Sequence, residues 1–277
     1  FHRSAQSPMK FYYDRMAANM AIAFFEVALV HVKGEWAQER FTLQPWQRRL
    51  VGDLFGWKRE DGTRKYRRAY IEVPRKNGKS TIGAGIALYL LFADGEYGAD
   101  VFSAAADRDQ AAIVFDTAKQ MVELSPLLSK RAQLFKRSIF CPENMGSYRV
   151  LSADAFTKHG LNPHGIIFDE LHAQPNRELW DVLNTGMGAR KQPLMVMITT
   201  AGFDRTSICW EQRSYGLAVE SGQMDDPSFY TYIAAADETD DWLDPAVWAK
   251  ANPNLDVTVS SEYIATESKR AIQSPAY

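Results

Sequence analysis

Two groups of residues in this chain have the types and spacing for phosphate chemistry. The first is Val73-Pro74-Arg75-Lys76-Asn77-Gly78-Lys79-Ser80, which follows a short β-type run and opens an apolar helical one. In that setting, backbone N–H groups around Asn77 and Gly78, with a helix N-terminus behind them, form a nest for an anion. Lys79 would reach β- and γ-phosphates, the Ser80 hydroxyl would ligate Mg²⁺, and Thr81 would contact an α-phosphate. The common form of such a loop opens on a glycine, where this one has Val73. The alternative is a polar turn with a solvated lysine. Arg75 weakens that alternative by adding a second cation where a γ-phosphate would lie.

The second group is Gly165-Ile166-Ile167-Phe168-Asp169-Glu170, a continuous apolar run closed by two carboxylates. A strand buried on both faces reads this way. Asp169 would hold Mg²⁺, directly or through water, and Glu170 would orient and activate an attacking water. The alternative is an acidic strand end at the surface. The separation between Ser80 and Asp169 leaves room for strands between the two motif strands, an arrangement that suits ATPases with an extra strand and a catalytic glutamate.

The elements that must position these groups form a repeated strand-to-helix pattern. Residues 69–73, 99–105, 148–152, 165–168, 194–200 and 229–234 read as β runs, with helices at 79–92 and about 108–127. Short β runs bounded by helices imply a mostly parallel sheet covered on both faces, with function at the carboxyl ends of its strands. Upstream, residues 9–35 read as one long helix, and Pro45 fits the first turn of a helix bearing Trp46, Leu50, Val51 and Leu54. The apolar stretch 17–30, broken by Asn19 and Glu26, is too short to span a membrane and reads as a buried helix face. After about residue 237 an acidic patch leads to Trp242, Trp248 and Asn252-Pro253-Asn254, then to a helix at 260–273.

Together these residues resemble the ATPase domain of the large terminase subunit of tailed bacteriophages, the motor that packages DNA into procapsids. Arg75-Lys76-Asn77-Gly78-Lys79-Ser80 resembles that family's deviant Walker A motif, and Phe168-Asp169-Glu170-Leu171-His172 its Walker B. Ile198-Thr199-Thr200-Ala201-Gly202 is similar to its coupling motif. Asp109-Gln110-Ala111 and the stretch 248–253 also fit. The resemblance implies an α/β P-loop NTPase of the ASCE/RecA-like type, with a central mostly parallel sheet, helices on both faces and a small helical lid or linker subdomain. It implies an N-terminal helical segment at 1–40, an ATPase core at 41–236, and a lid or linker at 237–277 leading to a nuclease domain absent from this chain.

What the resemblance implies can be carried over residue by residue. Arg75 would sense or clamp the γ-phosphate, with Lys76, Asn77, Gly78, Lys79, Ser80 and Thr81 cradling the rest. Gln47, in Leu43-Gln44-Pro45-Trp46-Gln47, would read adenine. Thr199 and Thr200 would relay the state of the γ-phosphate to a DNA-gripping surface. The motor is a homo-oligomeric ring, monomeric in isolation, whose active sites are completed by a basic residue from a neighbour; Lys158 is the candidate finger and Arg149 the second. ATP and Mg²⁺ would be the cofactors. Double-stranded DNA, the portal protein of the procapsid and the small terminase subunit would be the partners, in the host cell cytoplasm.

Composition bounds the alternatives. The chain has 277 residues, 46% hydrophobic and 24% charged, with a formal net charge of −2, which excludes disordered and collagen-like chains and a non-specific coat for nucleic acid. Its two cysteines, Cys141 and Cys209, lie far apart without metal-ligand spacing and suggest a reducing compartment. His159, His164 and His172 have no zinc spacing and read as local structure. No acidic cluster suits two-metal cleavage, so this piece should not cut DNA alone. The basic stretch 58–68 reads equally as a DNA- or subunit-contacting hairpin or as a solvated one. A start at Phe1 and an end at Tyr277 within a helical pattern suggest a piece of a longer protein. Two rivals stand beside the motor reading: a superfamily 2 helicase, from Asp169-Glu170-Leu171-His172, and a module that binds ATP without hydrolysing it.

Overall fold

Strands this apolar satisfy their backbone groups only against one another, and here they build one eight-stranded sheet. A computed structural model describes residues 10–151 and 160–274. In chain order the elements are β1 (Phe11–Tyr13), α1 (Arg15–Ala28), α2 (Pro45–Gly56), β2 (Trp57–Arg59), β3 (Arg68–Glu72), α3 (Lys79–Phe92), β4 (Asp100–Ala104), α4 (Arg108–Leu124), β5 (Gln133–Leu134), β6 (Ser138–Cys141) and β7 (Gly146–Val150). They continue with β8 (Gly165–Asp169), α5 (Glu178–Gly186), β9 (Leu194–Thr199), α6 (Ile208–Glu220), β10 (Phe229–Ile233), α7 (Pro245–Ala251) and α8 (Ser261–Gln273).

The sheet order is β10-β3-β9-β8-β4-β7-β6-β5, parallel from β10 to β7 and antiparallel at the β6–β5 edge. One intervening strand, β9, separates the two motif strands β3 and β8. Glu72 is in register with Thr199, and Asp169 with Ile198, so the three carboxyl ends lie side by side. The alternation of side chains sorts the core into two halves. Ala69, Ile71, Ile167, Val196 and Ile198 pack with α1–α4 on one face. Tyr70, Ile166, Phe168, Met195 and Met197 pack with α5 and α6 on the other.

The segment read as one helix over 9–35 is divided. Asp14 stops the helix from starting earlier, because its carboxylate caps the N–H groups of Met16 and Ala17 at 2.9 and 3.0 Å. Before it, β1 pairs antiparallel with β2. After Ala28 the chain turns extended at Leu29, and Val30 bridges Arg40. α1 buries Ala18, Ala21, Ile22, Phe25 and Ala28 and exposes Met16, Met20 and Val27. It docks where α3 carries Gly85, because any Cβ there would overlap the Phe25 ring. Gly83, by contrast, faces the sheet, against Ile167 and Ile198.

The basic stretch is spent internally rather than offered to solvent. Arg64 is fully buried, ion-paired to Asp94 at 2.7 Å and bonded to the Gln192 carbonyl. Asp94 also accepts from, or shares a proton with, buried His164 at 2.7 Å. Burial would raise the Asp94 carboxyl, but Arg64 and His164 hold it below its ordinary value. Arg68 donates to Asn184 Oδ1 at 2.8 Å, and Lys65 lies over the rings of Phe11, Trp57 and Tyr66. Among the described residues, no helix is long and apolar enough to cross a membrane.

Candidate functional site

The loop between β3 and α3 is shaped by two left-handed residues, Lys76 at φ 70° and Gly78 at φ 79°. Gly78 caps α3 without a side chain, so the first N–H groups of the helix have no capping partner from it. A side chain at Gly78 would be strained by its backbone and would crowd Gln47, whose Nε2 lies 3.3 Å from where a Cβ would stand. Lys79 begins α3 with its ammonium turned back into the loop, donating to the carbonyls of Val73 and Pro74 at 3.3 Å each. Burial lowers its pKa; Glu170 and Asp169 pull the other way.

The end of β8 supplies the acids. Glu170 sits in the left-handed region at φ 48° and ψ 54°, uncommon for a residue with a side chain. Its carboxylate lies 3.9 Å from Lys79 Nζ through Oε1 and 3.1 Å from His172 Nδ1 through Oε2. The Thr200 N–H approaches the same Oε2 at 3.4 Å. His172 Nδ1 also lies 3.0 Å from Thr199 Oγ1 and 3.4 Å from Thr200 Oγ1, so Glu170 and both threonines meet at that one nitrogen. Thr199 accepts from the His172 backbone N–H at 3.2 Å and donates to the Thr200 carbonyl at 2.9 Å. His172 thus joins Glu170 to the end of β9.

Asp169 is 2% exposed, and neither of its oxygens has a hydrogen-bond partner among the described residues. Burial, then the charge of Glu170, push its carboxyl up to about 7 against the pull of Lys79. A buried carboxylate with no donor fits a cation. Among the described residues no group of three His, Cys, Asp or Glu side chains could hold a metal alone. A cation at Asp169 and Ser80 would complete its shell with phosphate and water oxygens, as Mg²⁺ characteristically does.

Beside the loop lies a cavity of about 380 Å³, lined by His31, Trp36, Arg40, Gln47, Thr81 and Asn254 among others. Gln47 is buried and accepts the Gln44 N–H at 3.0 Å through Oε1, leaving its amide nitrogen toward the loop. Arg75 is exposed and borders a second cleft of about 670 Å³ with Glu72, His172, Thr200 and Phe203. The sequence-derived residues therefore gather in two adjoining groups: Lys79, Asp169, Glu170, Thr199 and Thr200 in one, Gln47, Gly78 and Thr81 in the other. Lys158 lies outside the described residues. Arg149 is committed to Asp100 at 2.8 Å and to the face of Phe102.

Two contributors were not legible in the sequence. His172 reads there as local structure, yet it holds Glu170. Asn254 follows Asn77 by 177 residues, and its contacts with that residue have no local signature.

Comparison with known proteins gives the family. A family model described as the terminase large subunit, ATPase domain, matches residues 45–217, and one for the endonuclease domain matches residues 223–277. The large terminase subunit of Enterobacteria phage HK97 is 29% identical over 264 residues, covering 92% of this chain and 50% of that protein. Protein YmfN of Escherichia coli (strain K12) is 39% identical over 112 residues, covering 40% of this chain and 25% of that protein. The crystal structure of the HK97 bacteriophage large terminase superposes with a TM-score of 0.80 at 26% identity, covering 94% of this chain and 52% of that one. The chain thus spans about half or less of the length of these relatives. The matches do not favour the helicase alternative.

Proposed function

Because the chain belongs to the terminase large-subunit family, we propose that it hydrolyses ATP with Mg²⁺ at this site and couples the hydrolysis to moving double-stranded DNA into a viral procapsid. The observation that carries the proposal is the convergence of Lys79 with Asp169 and Glu170 at the carboxyl ends of strands separated by β9.

The reaction is phosphoryl transfer to water. A water oxygen bonds to the γ-phosphorus as the bond to the β–γ bridging oxygen breaks, and ADP and phosphate leave. Positioning and charge do most of the work in such transfers. The backbone of the loop and Lys79 receive the phosphates, with Lys79 exchanging two loop carbonyls for phosphate oxygens. Asp169 and Ser80 would hold Mg²⁺, which when bound neutralises charge on the phosphate oxygens. Glu170 aligns the water, and His172 fixes the direction in which Glu170 points. Gln47 and Thr81 face the nucleoside side, and Arg75, Lys76 and Asn77 complete the loop. Thr199 and Thr200, joined to Glu170 through His172, pass the state of the γ-phosphate onward.

The assembled motor is a ring on the portal of a procapsid in the host cytoplasm, with the small terminase subunit as a further partner. Its active sites are completed in trans by a basic residue, Lys158 being the candidate. A finger of this kind is worth about 10³–10⁵ in rate, so the lone chain should turn over slowly. Residues 1–40, 41–236 and 237–277 act as N-terminal segment, ATPase core and lid or linker, with DNA cleavage belonging to a nuclease domain further along the family's chain. Multiple-turnover phosphate release at high protein concentration tests the proposal. Release that depends on Mg²⁺ and rises steeply with protein concentration is expected; ATP binding with no release at any concentration would leave only a binding module.

A further inference from the structure

The Asn252-Pro253-Asn254 segment lies within the range matched by the endonuclease-domain model, yet it is built into the phosphate loop. The Asn254 backbone N–H donates to Asn77 Oδ1 at 3.0 Å, and Asn77 Nδ2 donates to Asn252 Oδ1 at 3.2 Å. Asn254 Nδ2 approaches the Asn77 carbonyl at 3.4 Å, while Asn254 Oδ1 accepts the indole N–H of Trp46 at 2.6 Å. Thr258 Oγ1 donates to the carbonyl of Lys76. Asn77 and Asn254 are 0% and 2% exposed. Asparagine is seldom buried so fully, and both amides are hydrogen-bonded across the contact. The Asn254 carbonyl also accepts the N–H groups of Val257 and Thr258 at 3.0 Å, so the turn holds its own shape.

This turn is a wall of the cavity that adjoins the loop. Asn254, Val257 and Thr258 line it from one side, and Gln47 and Thr81 from the other. Trp46, one residue before Gln47, is also stacked on Tyr232 of β10, with ring centroids 5.3 Å apart.

We propose that the turn at 252–258 is a clasp on the nucleotide site, with Asn254 as the positioning residue that holds the phosphate loop and the base-side cavity in register. A nucleotide seated between Gln47 and Val257–Thr258 touches both sides and strengthens the clasp. Occupancy of the site is thereby reported to α8, the helix that follows the turn. The inference rests on the nucleotide reading of the site and adds to it the element that senses binding. Linkage makes the effect reciprocal: the factor by which nucleotide stabilises the closed turn is the factor by which the closed turn tightens nucleotide.

The test combines equilibrium binding of a non-hydrolysable ATP analogue with amide hydrogen exchange over residues 252–260. In the wild-type protein, analogue with Mg²⁺ should slow exchange at these residues. Asn254→Ala should weaken binding by about tenfold, within the range typical of coupling between sites. Thr258→Val, at an exposed position, should weaken binding by a smaller factor, with proportionately less protection of the turn. A merely structural role would lower melting temperature without this proportion between affinity and exchange. Unchanged exchange on binding, or Thr258→Val and Asn254→Ala proteins that melt like wild type and bind like it, would overturn the clasp. Wild-type protein that binds no analogue would instead overturn the nucleotide reading itself, and the two failures are separate.

Discussion

Lys79 Nζ stands 3.9 Å from Glu170 Oε1, an approach between the start of α3, which follows β3, and the residue that ends β8, two strands that flank β9. The pair is partly buried, with side-chain exposures of 7% and 20%. Each charge is also held by other groups, Lys79 by the carbonyls of Val73 and Pro74 and Glu170 by His172. The contact is therefore loose and divisible, as a site must be if both groups are to turn toward a third body carrying charge of its own.

Removing the cation should remove the phosphate site. Lys79→Ala is expected to lower ATP affinity or turnover by at least about 10²-fold, the scale of losing a preorganised charge from a water-poor site. Equilibrium binding and phosphate release check this together, and unchanged values for both would contradict the role of Lys79.

Glu170→Gln should keep nucleotide bound while cleavage falls by about 10²–10⁴-fold, the span usual for a positioned acid–base group. Single-turnover measurements on prebound ATP separate the two steps. Loss of binding in a folded protein would assign Glu170 to the ligand rather than to the water.

His172→Ala should lower the cleavage rate by about tenfold or more, since Glu170 loses the 3.1 Å contact that aims it and small misplacements of reacting groups cost up to about 10²-fold. His172→Asn should recover part of that loss, because its amide can donate from the position of Nδ1. Equal rates for the alanine and asparagine proteins would show that the bond to Glu170 does not matter.

The burial of Asp169 predicts a pH dependence. Its folded pKa, about 7, lies above the ordinary 3.8, so the folded state binds the extra proton between those values. Stability measured without divalent cation should therefore fall as pH rises from about 4 to 7, and the full cost should remain above 7. Asp169→Asn should flatten that fall. Melting curves in chelator across the range provide the check; identical slopes for the two proteins would contradict it.

Arg64 should behave as a structural residue. Breaking one side of a buried ion pair costs about 3–5 kcal/mol, so Arg64→Ala should unfold at markedly lower denaturant concentration. A protein of wild-type stability with impaired DNA binding would return Arg64 to the surface role that its neighbours in sequence suggest.

Much of this was legible beforehand. The parallel strands announce themselves as apolar runs, and Lys79, Asp169 and Glu170 each stand at a strand-to-helix or strand-to-turn boundary where polarity changes abruptly. The strand inserted between β3 and β8 did not follow from the spacing between Ser80 and Asp169: it is β9, which comes after both in the chain, while β4 to β7 lie beyond β8. What could not be read depends on pairing across the chain. β5 and β6 are short, mixed in polarity and stabilised only by the edge they extend. Phe11–Tyr13 carries no strand pattern of its own length and is fixed by Trp57–Arg59 and by the cap at Asp14. Arg64 looks solvated among five basic neighbours until Asp94 and His164 are placed beside it. Asn254 looks like an ordinary turn residue until the phosphate loop is folded against it.

A structure of the protein with a non-hydrolysable ATP analogue and Mg²⁺ would decide where the triphosphate sits. The expected density has phosphates on the loop from Val73 to Lys79, the cation between Ser80 and Asp169, and the base in the cavity beside Gln47. Nucleotide bound instead in the larger cavity of about 810 Å³ lined by Arg49, Lys65 and Arg213, with Lys79 still bonded to its own loop, would contradict it.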